Sequence, residues 1–191
     1  MEAVTLEKNA LRRALVARRA ALSMAEVEAA ARAVEERLWP LPQMQKPGLV
    51  CCYVSAQNEV GTHRLIRELL RRGWVVSVPV FRGDRYALGR IRDFDVDLRV
   101  GHAGLLEPRE WEPVGDPAVW LVPGVAFDRH GHRLGRGKGY FDRLLNGSAG
   151  FRIALAYEFQ VLPQLPVASH DEPIDVIVTP SETIWIHGGN Q

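Results

Sequence analysis

Apolar side chains over the first forty residues return every three or four positions, at Leu6, Leu11, Ala14, Leu15 and Leu22, with basic residues between them. A second stripe, Val27, Ala30, Val34 and Leu38, follows Ser23 and Glu26, whose spacing is that of a capping box. Trp39-Pro40-Leu41-Pro42 stops it, so the pattern predicts two helices within 1–42.

From Gly48 the period changes. Leu49–Val54 is a continuous apolar run of strand length, as in a strand covered on both faces of a parallel sheet. Thr62 is placed to cap a helix carrying Leu65, Ile66, Leu69 and Leu70, with Gly73 ending it and Trp74–Val80 forming the next strand. Strand, helix, strand makes a βαβ crossover. Arg82 to Arg85 predicts a turn and Tyr86–Ile91 a short strand. Asp93 to Pro117, rich in Gly, Pro and charge, predicts loops with little regular structure. Val119–Val122 resumes the buried-strand pattern. A loop is predicted from Pro123 to Gly139, a helix from near Tyr140, and strands over Ile153–Tyr157, Ile174–Thr179 and Thr183–His187, the last at an edge. The fold class is therefore α/β: an open, mostly parallel sheet flanked by helices. No linker or repeat breaks the chain, so one domain is expected over 1–191, with 1–42 a helical arm packed on the sheet.

Composition narrows the function. With 24 Lys+Arg against 23 Asp+Glu the chain is no polycation, so anion recognition must come from a local arrangement. The only cysteines, Cys51 and Cys52, are adjacent in an apolar run. Side chains there point to opposite faces and suit neither a zinc pair nor a disulfide framework. No apolar stretch approaches the roughly 18–20 residues of a membrane span, and the N-terminal pattern is not that of a signal peptide. A cytoplasmic protein without a membrane partner is expected.

The most informative stretch begins at Pro123-Gly124 and runs through Arg133-Leu134-Gly135-Arg136-Gly137-Lys138-Gly139-Tyr140-Phe141-Asp142-Arg143. It follows a buried strand, where open α/β sheets place their ligands. Alternate glycines let backbone approach a ligand closely, and the loop runs into a helix N-terminus that favours negative charge. Four cationic side chains cluster there, which is unfavourable without an anion, and a polyphosphate is the guest this predicts. The stretch is neither a Walker A loop nor a dinucleotide fingerprint, because Gly139 follows Lys138 and Tyr140 stands where the last fingerprint glycine belongs. Lys8, Arg12 and Arg19 fall on nearly one face of the first helix and would bring further cations to the same phosphates. Asp142 and Asp171 are candidates for Mg2+, with Asp128 in competition. Glu59, after the first strand, could accept hydrogen bonds from an amino-substituted heterocycle or cap the following helix. Tyr53, Phe127, Trp111 and Tyr140 could stack on an aromatic ligand. His130 and His132 flank Gly131 and read as solvated loop residues.

These residues resemble the 5-formyltetrahydrofolate cyclo-ligase family, also called methenyltetrahydrofolate synthetases. The likeness runs from Lys8 to Arg12 and Arg19, through Tyr53-Val54-Ser55, Glu59 and Thr62, to Gly104-Leu105-Leu106-Glu107-Pro108. It is strongest from Gly131 to Arg143 and ends with Gln160 and Pro166 to Asp171. Arg136, Lys138 and Phe141 stand where many bacterial members carry Tyr, Gly and Tyr. The resemblance implies a fold similar to the sugar-phosphate isomerase and CoA-transferase superfamily. It also implies an ATP- and Mg2+-dependent closure of 5-formyltetrahydrofolate, with or without a polyglutamate tail, to 5,10-methenyltetrahydrofolate. Carried over by position, Lys8, Arg12, Arg133, Leu134, Gly135, Arg136, Gly137, Lys138, Gly139, Tyr140 and Phe141 hold ATP. Val54, Glu59 and Arg136 to Tyr140 meet the folate, and Asp142 and Asp171 hold Mg2+. Arg133, Arg136, Lys138 and Tyr140 would act on the reacting groups. A monomer without nucleic-acid partners is expected. The alternatives are an isomerase or acyl-CoA transferase on the same kind of sheet, which would consume no ATP, and a non-catalytic nucleotide- or RNA-binding module.

Overall fold

The computed structural model describes residues 2–166 and 172–186. The two N-terminal stripes form α1 (Glu2–Ala20) and α2 (Met24–Leu38). The predicted capping box starts α2: Ser23 N–H donates to Glu26 Oε2 at 2.8 Å, and Glu26 N–H donates to Ser23 Oγ at 3.3 Å. The apolar runs become β1 (Leu49–Cys52), α3 (His63–Arg71), β2 (Val75–Arg82) and β3 (Arg85–Ile91). Thr62 does not cap α3 through its side chain. Its hydroxyl donates to Tyr53 O at 2.7 Å and accepts from Ser55 N at 2.9 Å, which closes the chain back onto the end of β1.

Two segments predicted as loops contain short strands. The stretch after Asp93 carries β4 (Leu98–Val100) and β5 (Leu106–Pro108), an antiparallel flap. Beyond β6 (Val119–Val122), the segment 123–139 contains β7 (Ala126–Asp128) and β8 (Arg133–Leu134), before α4 (Tyr140–Leu145). Two- and three-residue strands are too short to display an alternation, which is why pattern alone misses them. The chain continues through β9 (Phe151–Leu155), β10 (Val161–Leu162), β11 (Val176–Val178) and β12 (Thr183–Trp185).

The large sheet has the order β12-β11-β9-β6-β1-β2-β3. Its five central strands are parallel and both edges are antiparallel. Alternation sorts its side chains into two cores. Val50, Cys52, Leu121 and Ile153 pack with Val34 and Leu38 of α2 and Leu65, Ile66 and Leu69 of α3. Cys51, Trp120, Val122 and Ala154 pack on the other face with Leu145 of α4. The adjacent cysteines do point apart, and burial pushes both thiols up. A small sheet, β10-β7-β8, carries a third core in which Leu11 and Leu15 of α1 meet Val125, Ala126 and Leu134. Thus α2 lies on the large sheet, whereas α1 lies on the small one. No helix among the described residues is long and apolar enough to cross a membrane.

Strands β6 and β9 begin side by side, and Gly150 makes that possible. A Cβ there would stand 2.0 Å from Pro117 O and 2.7 Å from Trp120 Cδ1. The carbonyl cannot yield without shifting the strand. Gly150→Ala is therefore expected to cost about 2 kcal/mol, which at this chain length lowers Tm by roughly 4–8 °C. A thermal unfolding curve matching wild type would refute the close approach.

Candidate functional site

A cleft opens where β1 and β6 end, between the β2–β3 hairpin, the β4–β5 flap and the Gly-rich loop. Tyr53, Val54 and Glu59 enter from the β1 side, Pro79 and Tyr86 from the hairpin, and Leu105, Leu106 and Glu107 from the flap. Arg133, Gly135, Arg136, Lys138, Gly139, Tyr140, Phe141 and Asp142 close the opposite wall. The loop predicted to carry the chemistry thus faces the residue predicted to read a heterocycle.

Each glycine of the loop carries a guanidinium against it. A Cβ on Gly135 would meet Arg133 Nη1 at 3.0 Å, one on Gly137 would meet Arg12 Cζ at 3.4 Å, and one on Gly139 would meet Arg143 Nη1 at 3.3 Å. Gly137 (φ +95°) and Gly139 (φ +62°) also adopt left-handed backbone that disfavours side chains. Arg12 reaches across from α1 and donates Nε–H to Gly135 O at 2.8 Å, while Asn9 Oδ1 accepts from its Nη1 at 2.8 Å. Lys8, one turn earlier, is buried on the same helix. Two of the predicted loop residues do not line the cleft. Leu134 is buried beneath α1 with Leu15 and Val125, and Gly137 is turned toward Arg12.

Arg133 braces the site from beneath. It is 4% exposed, donates from Nη1 to Pro123 O at 3.1 Å and from Nη2 to Asp142 Oδ1 at 2.5 Å, and its Nε has no partner among the described residues. Asp142 therefore has one oxygen engaged, and Oδ2 lies toward Gly139. Asp171 lies outside the described residues. Among those described, no three His, Cys, Asp or Glu side chains converge on a common point.

Glu59 sits between two arginines. Arg136 Nη2 donates to its Oε1 at 2.7 Å, and Arg19 Nη1 lies 3.8 Å from the same oxygen. Its other oxygen, Oε2, accepts from Ala56 N at 3.1 Å. Arg19 differs from expectation. It is 2% exposed, donates Nε–H to Gln57 O at 3.0 Å and lines no part of the cleft. The face shared with Lys8 and Arg12 turns inward at the end of α1, and burial holds the Arg19 guanidinium below its usual range against the pull of Glu59.

The aromatic wall is largely invisible in the sequence. Of the four candidates, Tyr140 and Tyr53 line the cleft, and Tyr53 donates its hydroxyl to Val60 O at 2.8 Å. Phe127 is fully buried in the core, and Trp111 stands outside with Arg82 over its ring. Their place is taken by Tyr86, whose ring lies 4.9 Å from that of Tyr140. Phe81 is 6.2 Å from Tyr140 and stacks on His102 at 3.8 Å. Burial, aided by Glu107, raises the Tyr86 hydroxyl. Glu107 is 8% exposed and accepts from Phe81 N at 3.1 Å, which fastens the flap to the hairpin. Only position in the resembling Gly104–Pro108 stretch pointed to Glu107.

Asp128 is excluded as a competing metal ligand. It is fully buried, its Oδ1 accepting from His130 N and His132 N and its Oδ2 from His132 Nδ1 and Leu165 N, all within 2.9–3.0 Å. His132 is accordingly no solvated loop residue but a clamp on this carboxylate.

Comparison with known proteins identifies one family. The family model described as the 5-formyltetrahydrofolate cyclo-ligase family matches residues 4–180. The chain is 34% identical to a 5-formyltetrahydrofolate cyclo-ligase of Mycolicibacterium smegmatis over 93% of its own length and 95% of the relative's. It is 28% identical to one of Escherichia coli over 88% and 97%. An Aquifex aeolicus 5,10-methenyltetrahydrofolate synthetase solved by NMR superposes with a TM-score of 0.86 at 35% identity, covering 96% and 95% of the two chains. The corresponding Mycoplasma pneumoniae protein shares the fold at a TM-score of 0.73 and 24% identity, covering 91% and 99%.

Proposed function

The chain belongs to the 5-formyltetrahydrofolate cyclo-ligase family, and we propose that it closes 5-formyltetrahydrofolate to 5,10-methenyltetrahydrofolate, consuming ATP and releasing ADP and phosphate. The observation that carries this reading is one cleft walled on one side by Gly135, Arg136, Lys138, Gly139 and Tyr140, and on the other by Glu59 and Tyr86.

A formamide carbonyl is a weak electrophile and its oxygen a poor leaving group. In the proposed sequence the formyl oxygen attacks the γ-phosphorus and ADP leaves. Folate N10 then attacks the formyl carbon, the C–O bond breaks as phosphate departs, and N10 loses its proton. No protein nucleophile is required, so the protein's task is positioning and charge neutralisation. Arg136 and Lys138 would neutralise the oxygens of the transferred group. Arg12 and Arg133 would act chiefly as braces, since their guanidinium groups already bond Gly135 O, Pro123 O and Asp142. Glu59 would accept from amino and ring N–H donors of the folate, with Val54 against the ring and Tyr140 between the two substrates.

Mg2+ is usually held by one or two carboxylates together with phosphate oxygens and water. Asp142 Oδ2 fits that modest demand, and Asp171 remains the proposed second ligand. When bound, the ion would neutralise charge on the β- and γ-phosphoryl oxygens.

The test mixes the protein with ATP, Mg2+ and 5-formyltetrahydrofolate and follows the near-ultraviolet absorbance of the methenyl product. A rise that requires ATP is expected. Absence of that rise, or an equal rise without ATP, would overturn the proposal.

A further inference from the structure

The segment Ala56–Glu59 that presents the Glu59 carboxylate is strained and is held from outside the cleft. Gln57 (φ 52°) and Asn58 (φ 56°) are consecutive non-glycine residues in left-handed backbone, a conformation that persists only where the surroundings enforce it. The end of α1 does the enforcing. Arg19 Nε–H donates to Gln57 O at 3.0 Å, and Asn58 Nδ2 donates to the carbonyls of Arg19 at 3.3 Å and Leu22 at 3.0 Å. The Arg19 carbonyl also accepts from Leu22 N at 3.2 Å, so the Asn58 amide joins the turn that closes α1. From the far side, Tyr157 donates its hydroxyl to Asn58 O at 3.0 Å.

Arg19 also places a buried positive charge 3.8 Å from Glu59 Oε1. The second cation on that oxygen, Arg136, comes from the opposite wall and is 41% exposed at its side chain. Under the reaction proposed above, Arg136 must face the phosphoryl group, which removes it from Glu59. The carboxylate would then stand nearly buried with only Arg19 to balance it, and an unbalanced buried carboxylate is costly.

We propose that Arg19 is a positioning residue for substrate recognition: through Glu59 and the strained Gln57–Asn58 turn, it keeps a charged carboxylate aimed at the donor-bearing heterocycle while Arg136 turns to phosphate. It touches neither substrate. The inference rests on the assignment of Glu59 to the folate, and the experiment separates the two.

Steady-state kinetics with both substrates varied is measured for wild type, Arg19→Gln, Arg19→Lys, Glu59→Gln and the double variant Arg19→Gln/Glu59→Gln. Arg19→Gln keeps a donor for Gln57 O and removes the charge. It is expected to raise KM for 5-formyltetrahydrofolate roughly tenfold, with kcat and the KM for ATP within about twofold of wild type. Arg19→Lys restores the charge and most of the affinity. In the Glu59→Gln background, Arg19→Gln adds less than about twofold, because its effect passes through Glu59. A folate KM unchanged in Arg19→Gln but raised in Glu59→Gln overturns the inference and leaves the Glu59 assignment standing. Unchanged values in both overturn the two together. Should Arg19→Gln not fold, Asn58→Gly reads the same turn, since glycine suits its positive φ. A raised folate KM with unchanged ATP KM supports the clamp, and an unchanged folate KM overturns it.

Discussion

Arg136→Ala is expected to lower kcat by about 10²- to 10³-fold, the usual loss when one preorganised donor to a developing oxyanion is removed. The guanidinium lines the cleft, and the one bond it makes among the described residues is the pair with Glu59. Phosphoryl transfer depends almost wholly on charges fixed in advance, so losing one there slows the step rather than substrate capture. Folding should hardly notice. The guanidinium is 41% exposed at its side chain, and Arg19 still stands beside the Glu59 carboxylate when it is gone. Arg136→Lys keeps the charge but not the planar fork and should recover only part of the rate. Steady-state kinetics at saturating ATP, read beside a thermal unfolding curve, decides it. Unchanged kcat would remove Arg136 from the reacting groups.

Asp128→Ala is the counterpart for stability, with an expected loss of about 3–5 kcal/mol. Four donors would lose their acceptor at once: the buried N–H of Leu165, the partly buried N–H groups of His130 and His132, and the imidazole of His132, about one-third exposed. Buried donors without partners carry the full cost of lost hydration, and breaking a buried charged network is among the larger single-site effects. Asp128→Asn should be milder, since the amide keeps one acceptor oxygen. Acid provides an independent reading. Burial alone would raise the Asp128 carboxyl, but the bonds from His132, Leu165 and His130 outweigh it and hold the group below the usual carboxylate range. Its contribution is therefore complete above the unfolded value near 3.9. It fades as pH falls from there through the lower folded value, because the unfolded chain takes up the proton first. Urea unfolding as a function of pH should show that acid limb in wild type and a flatter one in Asp128→Asn. Identical limbs would exclude Asp128 as its source.

How far the sequence led depends on how much each inference relied on local pattern. The long strands and α1 to α3 announced themselves because buried faces repeat along the chain. The flap and the β7–β8 pair are local but only two or three residues long, too short to show a pattern, and β10 pairs with a strand distant in sequence, as when Val161 aligns with Phe127. The Gly-rich loop was legible because cations and glycines are crowded into one segment. Tyr86 was not, since nothing local distinguishes an aromatic on a hairpin from any other strand residue. Its meaning comes from Tyr140, more than fifty positions away, meeting it across the cleft. Arg19 misled for the same reason. Its spacing does put it on the face of Arg12, but whether that face meets phosphate or protein depends on how the helix end packs.

Both sulfhydryl groups of the protein are sealed in opposite layers beneath the sheet, and each is pushed toward its protonated form. Alkylating agents and mild oxidants attack the thiolate, so both thiols of the folded protein should pass through maleimide or mild peroxide unmodified, and the protein should work without added reductant. A cysteine introduced at the hairpin turn, Asp84→Cys, would then be the sole site to accept a fluorophore, giving a reporter of the cleft's rim against a silent background.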